Sequence, residues 1–385
     1  MPVTIQLGTP PQGIALNSTN VGEKTNVAWR DFSSSEDGDA FISRLEDYPS
    51  HILNLLPAEA CARASIVDHF LFIIYSSGEC TVYVNELKVV GRVRIRKEVS
   101  KGEKIFDDDI LDIEELKFDG VDIPPDAGVF ILISQGWRKG MYFDLGPLWN
   151  PPIPRDYDIH KLLGSYLNYL TFQQVFKIKD EDWALLFSSG WFPFIGLKSD
   201  TTREVLNHVR NGWDPDSIVN RIYDETKLRV DMFLIHWKKA PAMSLHKAVL
   251  EQAVERFVAQ DFLSCVSLLY PRIEGLLRCI ASIAGESSFG QKTLAEAPSK
   301  IRALEPNTYS RLLPQRFRQY LEQVFFAPFD PNSPKGATRH TVAHGVAPGE
   351  KFDRKSAVIA ILMIEQIAYH LPPVHSEMQT GGGAT

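Results

Sequence analysis

The spacing of apolar residues changes along this chain at the proline-rich segment WNPPIPRD, residues 149–156. Before this segment, FLFIIYSS, CTVYVNELKVV, RVRIRKEV and GVFILISQGW are short runs rich in Val, Ile, Tyr and Phe, which is typical of strands. After it, segments such as HKLLGSYLNYLTFQQVF repeat apolar side chains at helical spacing. The change predicts an α+β chain with a β-rich N-terminal part and an all-α C-terminal part.

The proline-rich segment has the stiffness of a linker and gives the clearest domain boundary in the sequence. We therefore predict a β-rich N-terminal domain over residues 1–150, whose fold the sequence does not identify. A helical connecting region is expected over residues 156–240, and a helical bundle over residues 241–375.

Capping residues mark two long helices of the predicted bundle. One should run from about residue 262 to residue 284, with Asp261 as its N-cap and Gly285 just beyond its end. Its apolar stripe consists of Phe262, Val266, Leu269, Ile273, Leu276, Ile280 and Ile283. The last helix should begin at Asp353 and stop at Pro372.

Charge is unevenly distributed along the sequence. The net charge of -7 argues against a protein that coats nucleic acid through a general excess of basic residues. Basic residues nevertheless outnumber acidic ones over residues 300–355, whereas acids dominate residues 101–126. We expect any polyanionic partner to approach the C-terminal part.

Several features predict a cytoplasmic protein. The four cysteines are too few and too scattered for a disulfide framework, and none forms a CxxC pair. The N-terminus MPVTIQLGTPPQG has neither the basic nor the apolar region of a signal peptide. The apolar run AVIAILMI is far shorter than the roughly 20 residues of a membrane-spanning helix, so no membrane association is expected.

The heptad RHTVAHG, residues 339–345, concentrates polar chemistry between the loop FDPNSPKGAT and the connector VAPGEKF. We expect one or two helical turns ended by Gly345. His340 and His344 would share a face, and Arg339 would lie about 140° around the axis from His344. Imidazole exchanges protons near neutrality, and a guanidinium matches phosphate oxygens. Together these groups are the minimum equipment for cleaving a ribose phosphodiester.

The residues RHTVAH resemble the R-x4-6-H motif of HEPN domains, small helical bundles of ribonuclease toxins, CRISPR-associated nucleases and phage-defence proteins. The family usually has Asn, His or Asp after the arginine, as His340 is here, and Gly345 matches a glycine common in several branches. An earlier segment, YPRIEGLLR, is similar to the one that holds a glutamate near the active site in related families. That residue would be Glu274, with Arg278 one turn further on. The resemblance covers about residues 240–372.

This resemblance implies a metal-independent endoribonuclease without cofactors that acts on RNA as a homodimer. The ribose 2′-OH would attack the adjacent phosphate and leave a 2′,3′-cyclic phosphate. His344 would act as general base or acid, Arg339 would stabilise the charged phosphorane, and His340 would orient or assist. Glu274 would position Arg339 or a histidine. The N-terminal domain would respond to a protein or ligand trigger.

Other interpretations remain open at this stage. The helical part could be a non-catalytic sensor or dimerisation subunit that binds a protein or nucleotide partner. The acidic stretch DDDILDIEE, residues 107–115, could hold Mg²⁺ in a metal-dependent hydrolase, although a solvated acidic face or loop is the simpler interpretation. The aromatic group Trp191, Phe192 and Phe194 could stack bases, but a packed turn in a helical core is favoured.

Overall fold

The computed structural model describes residues 2–57, 63–64, 66–303, 309–328, 338–343 and 345–371. The described chain forms two compact units. The sheet unit consists of the residues up to Val93, Ile113–Gln173 and Tyr309. The helical unit consists of Arg94–Asp112, residues 174–303 and the described residues from Ser310 onward.

The sheet unit is built on a six-stranded antiparallel sheet with the strand order β1-β6-β5-β9-β10-β4. Four of the runs predicted as strands are strands β5, β6, β7 and β9, of which β7 lies outside this sheet. The strand bounds are β1 Val3–Gln6, β2 Ile14–Ala15, β3 Val27–Ala28, β4 Arg30–Ser34, β5 Phe70–Ile74, β6 Glu79–Val84, β7 Val89–Ile95, β8 Ile110–Phe118, β9 Gly128–Gln135 and β10 Arg138–Asp144.

Both faces of this sheet are buried, each in its own cluster of apolar side chains. Successive side chains of a strand point to opposite sides and so belong to different clusters. Phe72 of β5 lies opposite Phe130 of β9 and belongs to one cluster, while its neighbour Leu71 lies opposite Ile131 and belongs to the other. The first cluster includes side chains of α1 (Asp39–Glu46) and α2 (Tyr48–Asn54), and the second includes side chains of α3 (Ile159–Thr171). Near-continuous apolar runs in β5 and β9 follow from this double burial.

Strands β7 and β8 pair in a separate two-stranded sheet, and the acidic stretch forms part of it. Asp107–Asp109 is one 3₁₀ turn, and β8 follows directly. Asp112 is buried within the helical unit, where it accepts hydrogen bonds from the hydroxyl of Ser310 (2.6 Å) and the backbone amide of Arg311 (3.1 Å). The interpretation of the whole stretch as a solvated acidic face or loop is therefore wrong.

The helical unit contains most of the helices downstream of α3. Their bounds are α4 Gln173–Phe176, α5 Asp180–Ser188, α6 Ser199–Arg210, α7 Val219–Lys227, α8 Val230–Lys239, α9 Lys247–Val258, α10 Phe262–Ile283, α11 Gln291–Ala303, α12 Pro314–Tyr320, α13 Arg339–Ala343 and α14 Arg354–His370. The predicted cap Asp261 accepts a hydrogen bond from the amide of Ser264 (3.1 Å). Asp353, the predicted start of the last helix, is also an N-cap and accepts one from the amide of Ser356 (2.8 Å). Helix α10 continues through Pro271.

Helix α14 forms the centre of the helical core and is buried along its whole length from Ala357 to His370. It packs against α7, α8, α10 and α11. The predicted stripe of α10 is buried from Val266 to Ile280, but Ile283 is half exposed. The aromatic group at Trp191 is fully buried, so the prediction of a packed core is confirmed.

The structure confirms a mixed architecture, with the main sheet in the N-terminal part and helices in the C-terminal part. Helix α3 belongs to the sheet unit, so the compact units divide near residue 173 rather than at the proline-rich linker. Compactness does not test whether a segment folds alone, and the three domains over residues 1–150, 156–240 and 241–375 stay a prediction.

Candidate functional site

Helix α10 carries two charged residues on the face that meets α13. Glu274 and Arg278 are four positions apart and therefore adjacent on the helix surface. The Arg278 guanidinium donates to Glu274 Oε1 from Nη2 (2.6 Å) and from Nε (3.2 Å). The guanidinium carbon of Arg278 also lies 5.7 Å from the centre of the Phe289 ring. Arg278 thus contacts both a carboxylate and an aromatic ring.

The short helix α13 brings Arg339 to the same carboxylate. Arg339 Nε donates to Glu274 Oε2, so each oxygen of the carboxylate accepts from a different arginine. The side chain of Glu274 is 13% exposed and that of Arg339 is 24% exposed, so their ion pair is largely shielded from solvent. The sequence-predicted residues Glu274, Arg278 and Arg339 therefore form one cluster, although 65 positions separate Glu274 from Arg339.

The two arginines keep Glu274 ionised. Burial on its own would raise the pKa of this carboxyl group, but the hydrogen bonds from Arg339 and Arg278 outweigh that effect and hold the pKa below its ordinary value. Two guanidinium groups and one carboxylate give the cluster a formal charge of +1. Such a cluster favours an oxyanion over a cation.

His340 extends the cluster toward the first residue of α11. Its Nδ1 lies 3.5 Å from Arg339 Nη1, and its Nε2 lies 2.7 Å from the side-chain amide of Gln291. The atom of Gln291 in this contact is the amide nitrogen Nε2.

The segment after α13 turns back on the helix. Gly345 has a φ of +69°, a conformation that glycine adopts readily, as its predicted place at the helix end requires. The backbone amides of Val346 and Ala347 both donate to the carbonyl of Thr341 (2.9 Å each). His344 itself lies outside the described residues, so its predicted role and its distance from Arg339 stay predictions.

A separate cleft of about 760 Å³ is lined in part by Thr341 of α13. Thr341 is buried there, and its hydroxyl donates to the carbonyl of Thr338 (3.2 Å). Neither Arg339 nor Glu274 is among the described residues that line the cleft. Its lining includes Tyr270, Asp353, Lys355 and Ser356.

Sequence reasoning did not find Gln291. It is the first residue of α11 and follows Gly290, so it occupies a helix start with no charge, motif or spacing to distinguish it. Its contact with His340 joins residues 49 positions apart and depends on the packing of α11 against α10. Nothing in the sequence alone points to that contact.

Comparison of the chain with protein-family models, curated proteins and solved structures gives no match. Within the described ranges, no group of three or more His, Cys, Asp or Glu side chains is placed so that it could share a metal ion. No helix in the same part of the chain has both the length and the apolar character needed to cross a membrane.

Proposed function

We propose that this chain is a metal-independent endoribonuclease of the HEPN type that acts as a homodimer. The observation that carries the proposal is the double pairing of Glu274 with Arg339 and Arg278. A carboxylate shared in this way fixes the direction of the Arg339 side chain and leaves the cluster with a net positive charge. A fixed cation is what a reaction with a developing phosphorane charge requires.

The reaction transfers the phosphoryl group from the 5′ oxygen of the following nucleotide to the ribose 2′ oxygen. The 2′-OH loses its proton to a general base and attacks, the bond from phosphorus to the 5′ oxygen breaks, and the 5′ oxygen takes up a proton. The products are a 2′,3′-cyclic phosphate and a 5′-OH. His344 carries proton transfer, Arg339 stabilises the equatorial oxygens, and His340 orients the neighbouring groups.

The test is digestion of total RNA by purified protein in EDTA, with cyclic-phosphate ends scored. We expect Arg339→Ala to lower the cleavage rate by about 10²- to 10³-fold, which is typical of losing a donor to a transition-state oxyanion. His344→Ala should lower it by at least about 10²-fold. Arg203→Ala and His208→Ala, on α6, are matched controls that should cleave like the wild type. Cleavage that survives in both site variants would contradict the proposal.

A second function is a non-catalytic sensor or dimerisation subunit. It is favoured by the same ion pair taken alone, because a bond from Arg339 to Glu274 would tether α13 to α10 without any chemistry. This function predicts equal RNA digestion by wild type and His344→Ala. It also predicts that Arg339→Ala changes the melting temperature but no product ends.

A further inference from the structure

A second basic site lies in the helical unit, away from α13. A pocket of about 420 Å³ is formed by the segment 94–98, by α8 with the preceding Arg229, and by the last turns of α14. All of its described lining residues belong to the helical unit. A pocket of this size fits a small organic molecule.

Three guanidinium nitrogens of Arg96 and Arg229 are buried without a hydrogen-bond partner within the described residues. Nε and Nη2 of Arg96 are shielded from solvent and have no hydrogen-bond acceptor within the described part of the chain. The same holds for Nη2 of Arg229, whose Nε donates to the carbonyl of Glu225 (3.1 Å). Buried donors of this kind are costly unless something accepts from them.

Positive charge is also uncompensated around Arg96. Desolvation is the largest cause that lowers the pKa of Arg96 well below its ordinary value, and the charges of Arg311 and Arg229 lower it further. Tyr369 and Asp108 act in the opposite direction without reversing the shift. A bound anion would remove this penalty.

Neither acidic residue of the pocket lining hydrogen-bonds to Arg96 or Arg229 within the described residues, although the charge of Glu365 raises the pKa of Arg229 against its larger desolvation. Glu365 accepts hydrogen bonds from the indole of Trp237 (2.6 Å) and from Nδ1 of His236 (3.2 Å). Glu98 is exposed to solvent. The ammonium group of Lys97 already has two acidic partners, Glu103 and Asp109 (3.1 Å each). Arg96 and Arg229 therefore keep buried donors that an anion could satisfy.

Aromatic and apolar side chains line the same pocket as these arginines. The rings of His236 and Tyr369 stack with their centres 4.0 Å apart and their planes 29° from parallel. Other apolar residues of the lining are Phe233, Met232 and Leu111. Such a surface suits a flat organic body, whereas inorganic phosphate would leave it uncovered.

We propose that this pocket binds a small organic phosphate, with its phosphate oxygens on Arg96 and Arg229 and its flat body against His236 and Tyr369. A guanidinium fork matches two phosphate oxygens at once, which explains why arginine stands at both positions. The assignment does not depend on the ribonuclease proposal, because none of these residues belongs to the cluster around Glu274.

The experiment measures thermal unfolding and calorimetric binding with AMP, adenosine, inorganic phosphate and a short RNA, each at constant ionic strength. We expect AMP to bind the wild type at millimolar concentration or below and to raise its melting temperature. Adenosine and inorganic phosphate should each bind more weakly. Arg96→Gln and Arg229→Gln should each weaken AMP binding by about ten-fold or more, since each removes a charge-assisted donor. Arg203→Gln, an exposed arginine of the same unit, should bind like the wild type.

Arg96→Gln removes an unpaired buried charge, so without ligand it should melt at or above the wild-type temperature. If it does not fold, Arg229→Gln carries the test. No AMP binding by the wild type, or equal binding by the wild type and the tested arginine variant, would overturn the proposal. If adenosine bound as tightly as AMP, the phosphate would have no role in recognition. If inorganic phosphate bound as tightly as AMP, the flat body would have none. RNA binding in place of AMP would show a polymer site instead.

Discussion

Glu274 is the residue on which the candidate cluster depends. It accepts from Arg339 with one oxygen and from Arg278 with the other, and it is the carboxylate that brings α10 and α13 together at this point. Loss of its charge would leave two neighbouring guanidinium groups without their shared partner. The orientation of Arg339 would then no longer be fixed.

Glu274→Gln should lower the free energy of unfolding by about 1–2 kcal/mol at neutral pH, because it removes charge from hydrogen bonds that two arginines donate. The pKa of Glu274 is held below its ordinary value of 4.5 in the folded chain. Its contribution is therefore complete above about pH 5 and is lost as the pH falls through the lower, folded pKa. Denaturant titrations at several pH values should show that the difference in free energy of unfolding between wild type and variant disappears only in acid.

Glu255→Gln, an exposed glutamate on α9, is the matched control and should follow the wild type at every pH. If the difference in free energy of unfolding between wild type and Glu274→Gln were the same at pH 7 and pH 3, the assignment of charged hydrogen bonds to this residue would be contradicted.

At this scale the sequence predicted the cluster better than the pocket. Arg339 and His340 were predicted from the heptad, and Glu274 and Arg278 from the family pattern. Both predictions were possible because the residues lie within two short segments of sequence. Arg96 and Arg229 are 133 positions apart and have no motif in common. The sequence gives one indication for Arg96, because the arginines of RVRIRKEV alternate and therefore share one face of a strand. It does not show which residues pack against that face.

At the scale of single elements, two positions on the predicted stripe of α10 differ in how much they stabilise the helical unit. Ile273 is fully buried in the core, whereas Ile283 at the end of the helix is 50% exposed. Ile273→Ala should cost about 2–5 kcal/mol, since a cavity remains in a packed interior. Ile283→Ala on the same helix should cost less than about 1 kcal/mol. Urea midpoints measure both, and similar losses would contradict the described packing.

The start of α14 depends on the side chain of Asp353, which caps the helix through the amide of Ser356. Asp353→Ala should lower stability by about 1 kcal/mol, because an N-terminal amide of the helix loses its acceptor. Asp353→Ser keeps an acceptor at the same position and should restore most of the loss. Melting temperatures of the two variants provide the check, and equal losses would argue against a capping role.

The elements with local sequence patterns were the ones that could be predicted. Asp261, Asp353 and the 3.6-residue stripes give the starts and faces of α10 and α14 from neighbouring residues alone. Strand β8 was missed because its acids resemble a solvent-exposed segment, while the partners that satisfy Asp112 come from residues almost 200 positions later. Side-chain burial of that kind depends on tertiary contacts, which periodicity does not contain.

At the scale of the whole molecule, the ribonuclease proposal predicts that activity depends on protein concentration. A site completed by two protomers loses activity when the dimer dissociates. Specific activity on RNA should fall on dilution, in step with the dimer fraction measured by analytical ultracentrifugation. Constant specific activity across the dissociation range would show that a single protomer holds a complete site.

The enclosure of α14 has a consequence for how the protein is made. Helices α7, α8, α10 and α11 pack around a helix that is synthesised after all of them. Until Arg354–His370 has left the ribosome, those helices lack this central partner, and the apolar side chains that pack on it stay exposed in the nascent chain. A message truncated upstream of this helix would yield a product for proteolysis rather than a partly folded, stable protein.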